Sequence, residues 1–162
     1  MNVLFTSDLH INHLLASDKR GFKSVTDHDD SIIETLNKYC NKRTLVYVLG
    51  DVAMSRSGLA RLKDVGGRKI LIKGNHDQYK LAEYIDIFED IHGIIKYKNM
   101  WLSHCPIHPQ EMWRCDANVH GHIHKNAATS NIGDPYLNVN WDYWRRPLEL
   151  NEIKEMVKAF KK

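Results

Sequence analysis

Residues 68–77 read RKILIKGNHD: an apolar, strand-like run, then Gly74 followed by Asn75, His76 and Asp77. Asn and Asp after a glycine are ordinary turn formers. The histidine between them calls for a second reason. The same arrangement recurs outward from this point. Residues 2–6, NVLFT, form an apolar run that breaks at Ser7-Asp8, with His10 two positions on. Residues 44–51, TLVYVLGD, are β-branched and aromatic up to Gly50-Asp51. Each run reads as a short buried strand ending in a polar residue.

Between these runs the periodicity changes. Ile32, Ile33, Leu36, Tyr39 and Cys40 recur at helical spacing from Asp29 to Cys40, and residues 57–67 read as a shorter helix closed by two glycines. Residues 79–90 fit neither period cleanly. Weak strand signals follow at 91–97 and 100–106, and residues 136–144 have period-two character that places Trp141 and Tyr143 in the core beside Val139. Near the end, Leu150, Ile153, Met156, Val157 and Phe160 share one helical face. Strands alternating with helices and then becoming hairpin-like predict a mixed sheet layered with helices, in one domain over 1–162.

Bulk composition narrows the function classes. A chain of 162 residues with 43% hydrophobic and 27% charged residues reads as an ordinary soluble globular protein. A net charge of +3 leaves room for an anionic substrate without the clustered basic face of a nucleic-acid binder, so nucleic acid is not the expected partner. No segment resembles a leader or a membrane span. Cys40, Cys105 and Cys115 are an odd number without C-x-x-C spacing, which argues against a disulfide framework and for a reducing, cytoplasmic setting. Ten histidines are the unusual feature.

Ligands of open α/β sheets collect beyond the carboxyl ends of the strands. Asp8 and His10, Asp51, Asn75 and His76, His104, and His122 and His124 all fall there. Taken singly, each is a turn residue or a surface histidine; together, Asp, His and Asn from five segments read as a metal site. Imidazole with carboxylate suits Mn, Fe, Zn, Co or Ni better than Ca or Mg. The set exceeds one tetrahedral site, and a pair of ions sharing a carboxylate, about 3.5–4 Å apart, would absorb it.

In this order, SDLH, LGD, KGNHD, SH and HGHIH resemble the signature of the calcineurin-like metallophosphoesterases, and the ending 136–153 is similar to that of small bacterial and phage members. The resemblance implies a four-layer α-β-β-α sandwich of two mixed sheets flanked by helices. It implies that Asp8, His10 and His124 hold one metal, that Asp51 bridges, and that Asn75, His104 and His122 complete a second, with manganese the first choice. His76 matches the histidine that faces the substrate phosphate, and Asp77 fixes the loop or orients its neighbour.

The activity so implied is hydrolysis of a small phosphomono- or phosphodiester, a nucleotide being one candidate, by in-line attack of a metal-activated hydroxide with His76 assisting the leaving oxygen. The run GDVAMSR has Met54 and Ser55 where protein phosphatases of the superfamily carry an acid and an arginine. That departure argues against a protein phosphatase and leaves the partner of His76 unassigned. Arg20 and His13 are candidates to touch substrate. Cys105, next to His104 on a strand, reads as a small buried residue. The competing readings are an inactive metal-binding scaffold and a nuclease, for which this chain has no spare length for a cap domain.

Overall fold

The structure, a computed structural model, describes residues 2–124 and 135–160; residues 1, 125–134 and 161–162 of the expected 1–162 domain lie outside the described residues. The elements in chain order are β1 (Val3–Thr6), α1 (Leu14–Lys19), α2 (Val25–Tyr39), β2 (Leu45–Val48), α3 (Arg56–Arg61), β3 (Arg68–Ile72), α4 (Leu81–Tyr84), β4 (Asp90–His92), β5 (Ile94–Tyr97), β6 (Met100–Ser103), β7 (Ala117–His120), β8 (Tyr136–Asn138), α5 (Trp141–Trp144), β9 (Leu148–Glu149) and α6 (Leu150–Ala159). One sheet runs β4-β3-β2-β1-β9, the other β5-β6-β7-β8. Pairing is parallel except for β9 on β1 and β5 on β6.

Strand alternation explains the layering. Leu4, Val46, Val48 and Leu71 point to one side of the first sheet, where Ile32, Ile33 and Leu36 of α2 and Leu59 of α3 cover them. Val3, Phe5, Leu45, Tyr47 and Ile72 point to the other, against Met100, Leu102, Val119 and Leu137 of the second sheet. The two mixed sheets thus stack and are flanked by helices, as the sequence reading expected. Over the outer side of the second sheet lies the 104–116 segment, pinned by Trp101 Nε1–H donating to the carbonyl of Glu111 (3.0 Å) and the Tyr136 hydroxyl donating to that of Ile107 (3.0 Å).

Three expectations are corrected. Helix α2 begins at Val25 rather than near Asp29, because the Ser24 side chain caps it by accepting the Asp27 amide. The 91–97 signal is not one strand: β4 belongs to the first sheet and β5 to the second, with Gly93 between them. The period-two reading of 136–144 ends at Asn138. The Asn140 side chain accepts the Tyr143 amide at 2.9 Å and starts α5, so Trp141 is buried while Tyr143 is 43% exposed. Among the described residues no helix is long and apolar enough to cross a membrane, and all three cysteines are free thiols.

Candidate metal centre

All the strand-end motifs meet at one edge of the stacked sheets. Beyond β1 the chain leaves its strand but stays beside the segment beyond β2: the amides of Asp8, His10 and Ile11 donate to the carbonyls of Gly50, Asp51 and Val52, each at 3.0 Å. Asp8, His10, Asp51 and His122 all have left-handed backbone, with φ between 51° and 68°. That conformation costs a non-glycine residue of order 1 kcal/mol or more and clusters at functional sites. At Gly74 any Cβ would overlap the Asp51 carboxylate and amide, so only glycine lets the loop after β3 lie against Asp51.

Seven side chains converge. His10 Nε2 lies 3.3 Å from His124 Nε2 and 3.9 Å from Asp51 Oδ2, and His124 Nε2 lies 3.6 Å from Asp8 Oδ1. On the other side, His104 Nε2 lies 2.9 Å from Asn75 Oδ1, 3.1 Å from His122 Nδ1 and 3.4 Å from Asp51 Oδ2. Asp8, His10 and His124 form one group able to hold an ion, and Asp8, Asp51 and His104 another.

The donor chemistry fits divalent cations. His104 Nδ1 sits 2.8 Å from the Leu49 carbonyl and His124 Nδ1 sits 2.5 Å from Asp142 Oδ2, so both nitrogens donate outward. Each ring then turns the lone pair of Nε2 toward other acceptors, an arrangement that a cation resolves. Burial, aided by the charge of Arg20, drives the His10 pKa down to about 3 and keeps its ring neutral, the form able to bind a cation. Burial pushes the Asp51 carboxyl up, but hydrogen bonds from His104 and the His76 amide outweigh it and hold the group at about 2. Burial pushes the His104 ring down, but the Asp51 hydrogen bond and the Asp8 charge outweigh it and raise it.

His76 stands apart from the seven. Its amide donates to Asp51 Oδ1 at 2.9 Å, while its ring is exposed, edge-on to the His10 ring with centroids 5.7 Å apart. Asp77 fixes the loop: its buried carboxylate accepts the amides of Asp51, Val52 and Gly74 at 2.9, 3.0 and 2.8 Å.

A cleft of about 460 Å³ opens over this centre, lined by His10, His13, His76 and His124 on the metal side and by Lys19, Arg145 and Leu15 farther out. His13 stacks obliquely on His10, with ring centroids 5.4 Å apart. Arg20 lines the wall too, but its side chain is only 2% exposed and its guanidinium is a brace. It donates to Asp142 Oδ1 (2.6 Å) and to the carbonyls of Leu9 and Asp8 (2.7 Å each). The sequence reading missed Asp142, which joins Arg20 to His124 and follows no metal-ligand spacing. It also misplaced Cys105. Strand β6 ends at Ser103, so alternation no longer applies, and Cys105 is exposed within ligand distance of His104 and His122.

The sequence profile of the family described as calcineurin-like phosphoesterase matches residues 1–126. The chain belongs to the calcineurin-like phosphoesterases. The chain is 29% and 28% identical to the Gene 66 proteins of Mycobacterium phages D29 and L5, over 96% of its own length and 96% and 94% of theirs. It is also similar to the crystal structure of AQ665, a protein of unknown function from Aquifex aeolicus. The TM-score is 0.75 at 29% identity, over 96% of this chain and 98% of that one.

Proposed function

We propose that this chain hydrolyses a small phosphomono- or phosphodiester with two divalent transition-metal ions, manganese first among them. Asp8, His10 and His124 would hold one ion, Asn75, His104 and His122 the other, and Asp51 would bridge. The observation that carries the reading is the exposed His76 ring in the wall of a cleft that His10 and His124 also line, beside the group of seven converging side chains. Bound there, the ions supply Lewis acidity, polarising phosphoryl oxygens and making hydroxide available near neutral pH.

The chain's own residues do the rest. The Asp77 carboxylate sets the loop that carries Asn75 and His76. Asp142 and Leu49 orient two of the imidazoles. The His76 ring meets the phosphoryl group from the open side and gives a proton to the departing oxygen. In the protein loaded with Mn²⁺, His76→Ala keeps its metal and loses ~100-fold or more in turnover of an alkyl phosphoester. Asp51→Ala loses both ions in a metal analysis. Full metal content with no hydrolysis of any phosphomono- or phosphodiester, across Mn, Ni, Zn and Mg, would overturn the reading in favour of a binding scaffold.

A further inference from the structure

We propose that the outer wall of the cleft is a second anion site, formed by Lys19 and Arg145, and that the substrate carries a second phosphoryl group besides the one hydrolysed. This rests on the phosphoesterase reading above. Arg20, whose guanidinium reaches the backbone of Asp8 and Leu9, is taken up by Asp142 and by those two carbonyls. Lys19 and Arg145 line the same cleft, are exposed, and have no carboxylate partner among the described residues.

Arg145 carries a second signature. It ends α5 in left-handed backbone, φ 53° and ψ 16°, its amide donating to the Trp141 carbonyl at 3.0 Å. Glycine or asparagine is the ordinary residue in that conformation. The left-handed turn places Arg145 in the wall of the cleft, without a carboxylate partner among the described residues.

Charge balance points the same way. Two divalent ions against the carboxylates of Asp8 and Asp51 leave an excess that one phosphoryl group neutralises. Lys19 and Arg145 add positive charge beyond that, which a second phosphoryl group would meet through charge-assisted hydrogen bonds. Leu15, 54% exposed, lies in the same wall and offers an apolar surface to the body joining the two groups. A nucleoside bearing two separate phosphates has this composition.

The test compares thymidine 5′-(p-nitrophenyl phosphate) with and without a 3′-phosphate, on the Mn²⁺-loaded protein. The 3′-phosphorylated ester is expected to have a kcat/KM about tenfold higher or more, an advantage that shrinks with added salt. In Lys19→Gln/Arg145→Asn, whose asparagine suits the left-handed position, the ratio of the two kcat/KM values falls toward one. Equal values in the unaltered protein, or a preference that survives the double substitution, overturns the second site. Calorimetric binding of thymidine 3′,5′-bisphosphate against thymidine 5′-phosphate separates the two readings. If neither ester is cleaved but the bisphosphate binds tighter through Lys19 and Arg145, the anion site stands and the hydrolytic reading falls. If the two ligands bind alike, the anion site falls by itself.

Discussion

Asp142 Oδ2 accepts the Nδ1–H of His124 at 2.5 Å while its Oδ1 accepts the Nε–H of Arg20 at 2.6 Å. One carboxylate from the start of α5 thus aims the His124 imidazole and anchors the arginine that braces the loop after β1. Its own carboxyl is held far below the usual range: burial opposes this, and the His124 hydrogen bond with the Arg20 charge outweighs it.

Asp142→Asn keeps one acceptor and cannot serve both donors. Its affinity for Mn²⁺ is expected to fall about 10–100-fold by isothermal titration calorimetry, although the substituted side chain touches no ion. Unchanged affinity would mean that His124 needs no orienting partner.

Asp77→Ala strips acceptors from three amides, those of Asp51, Val52 and Gly74, in a buried loop. Leaving buried donors unpaired costs about 1–3 kcal/mol each, so a loss of about 3 kcal/mol or more in urea denaturation is expected. Gly74→Ala, whose Cβ would press on Asp51, should cost about 1–3 kcal/mol by the same measurement. A Gly74→Ala protein as stable as the parent would show that the loop can move away from Asp51.

The acid limb of stability has a surface contribution. Glu152 accepts from Arg146 at 2.7 and 2.9 Å and from the Glu149 amide at 2.8 Å, capping α6. The Arg146 hydrogen bonds hold its carboxyl below the ordinary 4.5. A carboxyl whose pKa is lower folded than unfolded stabilises above the unfolded value, and that contribution is lost as pH falls through the folded one. Arg146→Met should therefore cost less than about 1 kcal/mol near neutrality, with the difference from the parent shrinking below about pH 4.5. A difference that grows on acidification would contradict the pairing.

Thiol chemistry separates the cysteines. Burial pushes the half-buried Cys40 up to about 11; burial and the charges of Asp51 and Asp8 raise Cys105 as well, but that thiol is exposed beside His104 and His122. Iodoacetamide followed by peptide mass spectrometry should find Cys105 alkylated well before Cys40. Alkylation of Cys40 first would return Cys105 to the buried position that strand alternation suggests.

The strands and the polar residues gathered beyond their ends were legible because their signals are local. The runs at 2–6, 44–51 and 68–77 each carry their own apolar pattern and end in or just before Asp, or in Asn and His, whatever the rest of the chain does. Tyr143 and Cys105 were misread where alternation was carried past a strand's end. An asparagine cap starts a helix in one case, and in the other β6 has stopped two residues earlier.

The amino-acid sequence by itself determined the alternating elements, the two-sided burial of the central strands and the residue types offered at the sheet edge, since periodicity and turn chemistry act over a few residues. Only the tertiary structure decided which donors meet which acceptors. Asp142 reaches His124 and Arg20 across 18 and 122 positions, turning Arg20 into a brace and leaving Lys19 and Arg145 to face the cleft. Such pairings depend on parallel strand register and on which buried hydrogen bonds can be satisfied together. That information belongs to the packed chain and to no single stretch of it.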